Sequence, residues 1–116
     1  MSTNNMKRLN IQTHPKLAEL TCIRKSLVFT KHASERAVEK AIFAPTSIEI
    51  QAGEVVEAEL SGSRITKLVV RRTMTQDKDL VLVLVPKDSG TWMVVTCWLN
   101  DKTDTHRTLK KGRLSA

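Results

Sequence analysis

Several pairs of residues in this chain have the types and spacing that metal-free cleavage of RNA uses. His32 and Arg36 stand four apart, Lys67 and Arg71 stand four apart with Arg72 beside them, and His106 opens a polar, basic tail. The chemistry has three parts. A base takes the proton of a 2′-hydroxyl, fixed cations hold the charge on a pentavalent phosphate, and an acid protonates the leaving 5′-oxygen. Histidine suits both proton transfers because its unperturbed pKa is about 6.5. Arginine suits the phosphate because its planar fork donates two parallel hydrogen bonds. The candidate catalytic set is therefore His32, Arg36, Lys67, Arg71 and His106. Arg64, Arg72, Thr96, Trp98, Arg107, Lys110, Lys111 and Arg113 are candidates for holding RNA.

Each candidate also has a plainer reading. His32 and Arg36 suit a helix start and a solvated helix face, since i,i+4 polar pairs are common on helix surfaces. Lys67 and Arg71 suit an edge strand that uses charge to block aggregation. Trp98 suits the core, as large apolar side chains usually do. The basic residues after His106 suit a solvated tail. His14 precedes Pro15 outside the main pattern and reads as structural or idle.

The elements that position these residues follow from hydrophobic period and from turn residues. Pro15 opens a short helix with Leu17, Leu20 and Ile23 on one side. Residues 26–30 read as a short strand or extended lead-in. Thr30 then caps a helix running to about Ile42, with Ala33, Ala37, Val38 and Ala41 as its apolar positions. Thr46-Ser-Ile-Glu49 has the pattern of a capping box, so a second short helix is expected there, closed by Gly53. Residues 54–60 alternate as a strand, 61–63 form a tight turn, and 64–72 return as the second strand of a hairpin. The continuous apolar run 80–85 predicts a central strand buried on both faces.

Residues 92–99 predict another central strand. Strict alternation places Trp92, Val94, Thr96 and Trp98 on one face, and Met93, Val95, Cys97 and Leu99 against the helices. Lys67, Val69 and Arg71 also share a face by the same period. Lys67 and Arg71 are expected on the sheet face that carries Thr96 and Trp98.

The bulk numbers bound the answer. The chain has 116 residues, enough for one domain with a real core. We divide it into an N-terminal segment, 1–25, and a single domain, 26–116. The formal net charge is +7, which favours an anionic partner. Aromatics make up 3% with no Tyr, which argues against a platform built on several stacked aromatics. The two cysteines, Cys22 and Cys97, lack metal-ligand spacing, and three scattered histidines do not make a ligand set. No metal or cofactor is expected. No apolar run has signal-peptide or membrane-spanning length, so a cytoplasmic setting is expected.

The ordered set of motifs resembles the RelE-like superfamily of small metal-independent ribonucleases, the barnase–EndoU–colicin–RelE fold. It is similar in particular to small bacterial and phage members. The motifs are His32-x-x-x-Arg36, Gly53-Glu-Val-Val-Glu57, Lys67-Leu-Val-Val-Arg71, Val95-Thr-Cys-Trp-Leu-Asn100 and Asp104-x-His-x-Thr-Leu109. The resemblance covers about residues 27–114. Leu114 stands where an aromatic, often Tyr, is expected.

The resemblance implies an α+β fold with N-terminal helices packed on a four-stranded antiparallel sheet. It implies a toxin-like endoribonuclease that cleaves through the 2′-hydroxyl. RNA, either ribosome-bound message or tRNA, is the implied partner, with an antitoxin or an acidic host protein as a second one. A non-catalytic module on the same fold, binding RNA or a host protein, is the alternative.

Overall fold

The computed structural model describes the backbone of residues 6–8 and the whole of residues 24–51, 54–62 and 64–104. The strands are β1 (Met6–Arg8), β2 (Arg24–Phe29), β3 (Ser47–Glu49), β4 (Val55–Ser61), β5 (Arg64–Thr73), β6 (Lys78–Asp88) and β7 (Thr91–Asp101). The helix α1 (Lys31–Glu39) lies between β2 and β3. The strands form a single seven-stranded sheet in the order β1-β4-β5-β6-β7-β2-β3. All neighbours are antiparallel except β2 and β7, which run parallel.

The architecture corrects the expected fold class. Helices packed on a four-stranded antiparallel sheet are not what forms. The β4–β7 meander is present, but it is the middle of a larger mixed sheet, and α1 is the one helix among the described residues. The residues from Thr46 to Glu49 do not start a helix. Residues 47–49 instead pair with β2, through Arg24↔Glu49, Lys25↔Ile48 and Ser26↔Ser47. Burial decides this. Ile48 and Ile50, two apart, are both 1% exposed, which an extended backbone achieves by pointing alternate side chains the same way. Burying two isoleucines is worth several times one cap, roughly 1.5–3 kcal/mol each against about 1. Glu49 uses its carboxylate on Arg24 at 3.4 Å.

The helix forms where expected. Thr30 is its N-cap, accepting the Ala33 N–H at 3.1 Å. Its end is a Schellman motif: Ile42 N–H donates to Ala37 O at 2.8 Å and Ala41 N–H to Val38 O at 3.2 Å. Ala41 sits in the left-handed region at φ 56°, without the glycine that this position usually holds. Ala33 and Ala37, four apart, are the two helix residues buried against the sheet.

One sheet face carries the main core, which includes Leu27, Ile48, Leu68, Val70, Leu82, Leu84, Val94 and Cys97. The sheet curls around it. Arg72 on β5 and Glu49 on β3 are separated by β6, β7 and β2. A flat sheet would hold them at least roughly 19 Å apart at about 4.8 Å per strand. Arg72 Nη2 nevertheless donates to Glu49 O at 3.2 Å and to Glu54 Oε1 at 2.7 Å. The opposite face carries a smaller patch of Val56, Val69, Val81 and Val83, with Val95 and Trp98 packed on it.

Candidate functional site

The register of β7 sets the site. Thr96 pairs with Val83 and Val94 with Leu84, so Val95 is an extra residue, a bulge. A bulge shifts the alternation by one. Trp92 and Val94 face the main core before it, and Cys97 faces the same core after it. Thr96 and Trp98 are thereby turned to the opposite face. Trp92 and Val94 do not share a face with Thr96 and Trp98, contrary to strict alternation.

Lys67, Val69 and Arg71 do lie on the same face as Thr96 and Trp98. They alternate with the buried Leu68 and Val70, and the ladders run Val69↔Val83↔Thr96 and Arg71↔Val81↔Trp98.

The bulge also anchors the helix. Pairing of β2 with β7 ends at Phe29↔Val94. Thr30 N–H then donates to Val94 O at 3.0 Å, and the Thr30 hydroxyl donates to Val95 O at 3.4 Å. One residue therefore caps α1 and fixes its start to the bulged strand. The result brings His32 Nε2 to 3.3 Å from Thr96 Oγ1, across 64 residues of sequence. His32 is exposed. Arg36 is one helical turn further, in an exposed ion pair with Glu39 at 3.3 Å. The Arg36 charge is also felt at Cys97. Burial pushes that thiol up, and Arg36 opposes the rise. A buried thiol held protonated is a packing group, not a nucleophile.

The other cations meet carboxylates. Lys67 Nζ lies 3.2 Å from Glu59 and 3.6 Å from Glu57, which is 9% exposed. Arg71 is 10% exposed, and its Nε donates to Asp79 Oδ2 at 2.8 Å. Its Nη2 donates to the Asp101 carbonyl at 2.9 Å. Lys102 Nζ completes the group at 2.5 Å from Asp79 Oδ1. Burial alone would raise the Asp79 pKa, but the hydrogen bonds from Lys102 and Arg71 reverse this and hold it below the ordinary carboxylate range. Arg72 points to the main-core side and ties β5 to the β3–β4 connection. Arg64 is exposed at the start of β5.

His106, Arg107, Lys110, Lys111 and Arg113 lie outside the described residues, as do Gly53, Cys22, His14 and the helix expected after Pro15.

The charge is unevenly placed along the chain. Residues 24–104 hold twelve Lys and Arg against eleven Asp and Glu. Residues 105–116 hold four Lys and Arg and no Asp or Glu. Residues 105–116 therefore carry +4 of the net charge of +7, β1 adds Lys7 and Arg8, and residues 24–104 carry only +1.

The sequence did not single out Asp79, the tie of the Thr30 cap to β7, or the hold of Asn100 on Trp98. Asn100 Oδ1 accepts the Trp98 indole N–H at 3.0 Å. The carboxylates Glu57 and Glu59 were not expected as partners for Lys67, although the hairpin at 61–63 was the signal that lays them beside it. Among the described residues, no group of three or more His, Cys, Asp or Glu is placed to hold a metal ion. No helix among them is long and apolar enough to cross a membrane.

Compared with models of protein families, with curated proteins and with solved structures, the chain matches none of them.

Proposed function

We propose that the protein acts on RNA in the cytoplasm as a metal-independent endoribonuclease, with His32, Thr96 and Arg36 as the reacting cluster. One observation carries this reading: an exposed imidazole and a hydroxyl, far apart in sequence, meet at 3.3 Å with a guanidinium one turn away. Thr96 holds the ring through Nε2, so Nδ1 is the nitrogen that exchanges a proton with substrate. Arg36 can leave an exposed pair with Glu39 at little cost, because such pairs contribute about 0–1 kcal/mol. It is then free to meet developing negative charge on the phosphate. His106 is the candidate for the second proton transfer. Lys67 and Arg71 do not belong to the reacting cluster in this reading, since carboxylates already hold them.

The test is cleavage of RNA in EDTA, with and without ribosomes, analysed for 2′,3′-cyclic phosphate ends. His32→Ala and His106→Ala should each lower the rate by roughly 10²–10⁴-fold, the usual worth of general acid–base groups. Thr96→Val should lower it less. Absence of cleavage in a folded protein that still binds RNA would refute the enzyme reading.

The second reading, a non-catalytic RNA-binding module, is favoured by one observation. The paired cations leave residues 24–104 at a net +1, and more than half of the charge that would attract RNA, +4 of +7, sits in residues 105–116. Binding with no cleavage would select it.

A further inference from the structure

We infer that Trp98 and Asn100 form a base-recognition step next to the His32–Thr96 pair, taking one unpaired base of single-stranded RNA and preferring uracil and guanine. This rests on the RNA-directed reading above and specifies how that site would choose its substrate.

Thr96, Trp98 and Asn100 alternate on one face of β7, each about 6.7 Å from the next along the strand. The described part of β2 pairs with β7 only as far as Val94, and the buried side of α1 packs on the other face. The three side chains are all partly exposed. They begin at the hydroxyl that meets His32 and lead away from it.

The two tryptophans of the chain differ in a telling way. Trp92 is 4% exposed and belongs to the main core. Trp98 is seated on the valine patch of the opposite face and is partly exposed. Its N–H is held by Asn100 Oδ1 at 3.0 Å, which fixes the plane of the ring. A ring already fixed loses little freedom when a base stacks on it, so the stacking energy is retained as affinity.

Asn100 Oδ1 already accepts from Trp98 and keeps one lone pair, while its amide NH₂, which can only donate, makes no side-chain hydrogen bond within the described residues and is the group turned to a base. Uracil and guanine present carbonyl oxygens where cytosine and adenine present amino groups, which are donors. A donor beside the stacked base therefore favours the first pair and leaves the second pair's amino groups unmatched.

The experiment uses the full chain and uncleavable 2′-O-methyl oligouridine and oligocytidine, followed by tryptophan fluorescence at low salt. Oligouridine should quench a saturable part of the emission and bind more tightly than oligocytidine. Trp98→Leu should abolish the quench and weaken binding about tenfold to a hundredfold. The Trp92 emission remains as a folding control. Asn100→Asp replaces the donor with an acceptor and should reverse the preference between the two oligomers.

The outcomes separate. Binding without quenching, or undiminished binding by Trp98→Leu, overturns this inference and leaves the RNA reading standing. No binding of either oligomer overturns both. Quenching by oligouridine at lower concentration than oligocytidine, with no cleavage of ordinary RNA, supports the base step and removes only the catalysis, whereas equal binding of the two overturns the preference.

Discussion

Replacing Asp79 by Leu tests whether Arg71 is a structural residue or a phosphate ligand. The substitution removes the acceptor for Arg71 Nε at 2.8 Å and for Lys102 Nζ at 2.5 Å. Arg71 is then left with the Asp101 carbonyl as its remaining recorded partner, at 10% exposure. Breaking a fully buried pair costs about 3–5 kcal/mol, and an exposed pair contributes about 0.2–1. With side chains 10% and 17% exposed, this pair lies nearer the first limit, and solvent screening reduces the loss to about 2–3 kcal/mol. Arg71→Met should cost less, about 1–2 kcal/mol, because Asp79 keeps Lys102. The double variant puts two apolar side chains beside Val81 and Trp98 and should recover much of the loss. The expected coupling is about 1.5 kcal/mol or more. Urea denaturation of the four proteins measures it. The Asp79→Leu midpoint temperature should fall by roughly ten degrees, given about 3–6 °C per kcal/mol at this chain length. If Asp79→Leu costs under about 0.5 kcal/mol and the two changes add, the pair is not structural. Loss of cleavage by Arg71→Met at unchanged stability would then return Arg71 to the reacting cluster.

Acid should weaken the Asp79 contribution. Its folded pKa is depressed, so its stabilisation is present above the unfolded value of about 3.9 and is lost as pH falls through the folded one. The stability gap between the parent and Asp79→Asn should narrow below about pH 4, as followed by urea titration at several pH values. Ala41→Gly should stabilise by about 1 kcal/mol in the same assay, because it relieves a left-handed backbone at the helix end. Ending the chain at Asp104 removes four cations and no Asp or Glu, and should make the salt slope of RNA binding shallower by about 3. An unchanged slope would place the electrostatic contact on the sheet and helix.

The parts of the fold that were legible in sequence are those decided within a few residues. The Thr30 cap, the hairpin around residues 61–63 and the apolar run of β6 each depend on local chemistry, and each appears in place. The rest depends on contacts far apart in the chain. Thr46 to Glu49 carries a sound local helix start, and only the distant surface that buries Ile48 and Ile50 makes extension the better choice. Nothing local in residues 26–29 announces a parallel partner some 65 positions away. The bulge at Val95 has no glycine or proline to mark it. In a run as uniformly apolar as Trp92-Met-Val-Val, either face can be buried. The register is then chosen by what must follow, with Cys97 in the core and Thr96 out of it.

The same distinction governs the site. Residue type and spacing located the groups that could do chemistry, but not what each was already doing. Lys67 and Arg71 share the face of Thr96 and Trp98 as their period requires, yet a cation is little available to a phosphate when a largely buried carboxylate already holds it. Counting charges along the chain cannot show that Asp79 takes Arg71 and Lys102 together, because that triad spans two strands and the end of a third. His32 differs in kind. Its partner is a hydroxyl, which orients an imidazole without placing an opposite charge against it. Its neighbour Arg36 is paired only at the exposed surface. Once the paired cations are set aside, the His32–Thr96 contact remains, with Arg36 one helical turn along α1, Trp98 two residues along β7, and +4 of the net charge of +7 in residues 105–116. Attraction and selection are thereby separable. The charge of residues 105–116 would draw any polyanion, whereas the proposed choice among nucleotides rests on groups fixed on β7 and α1.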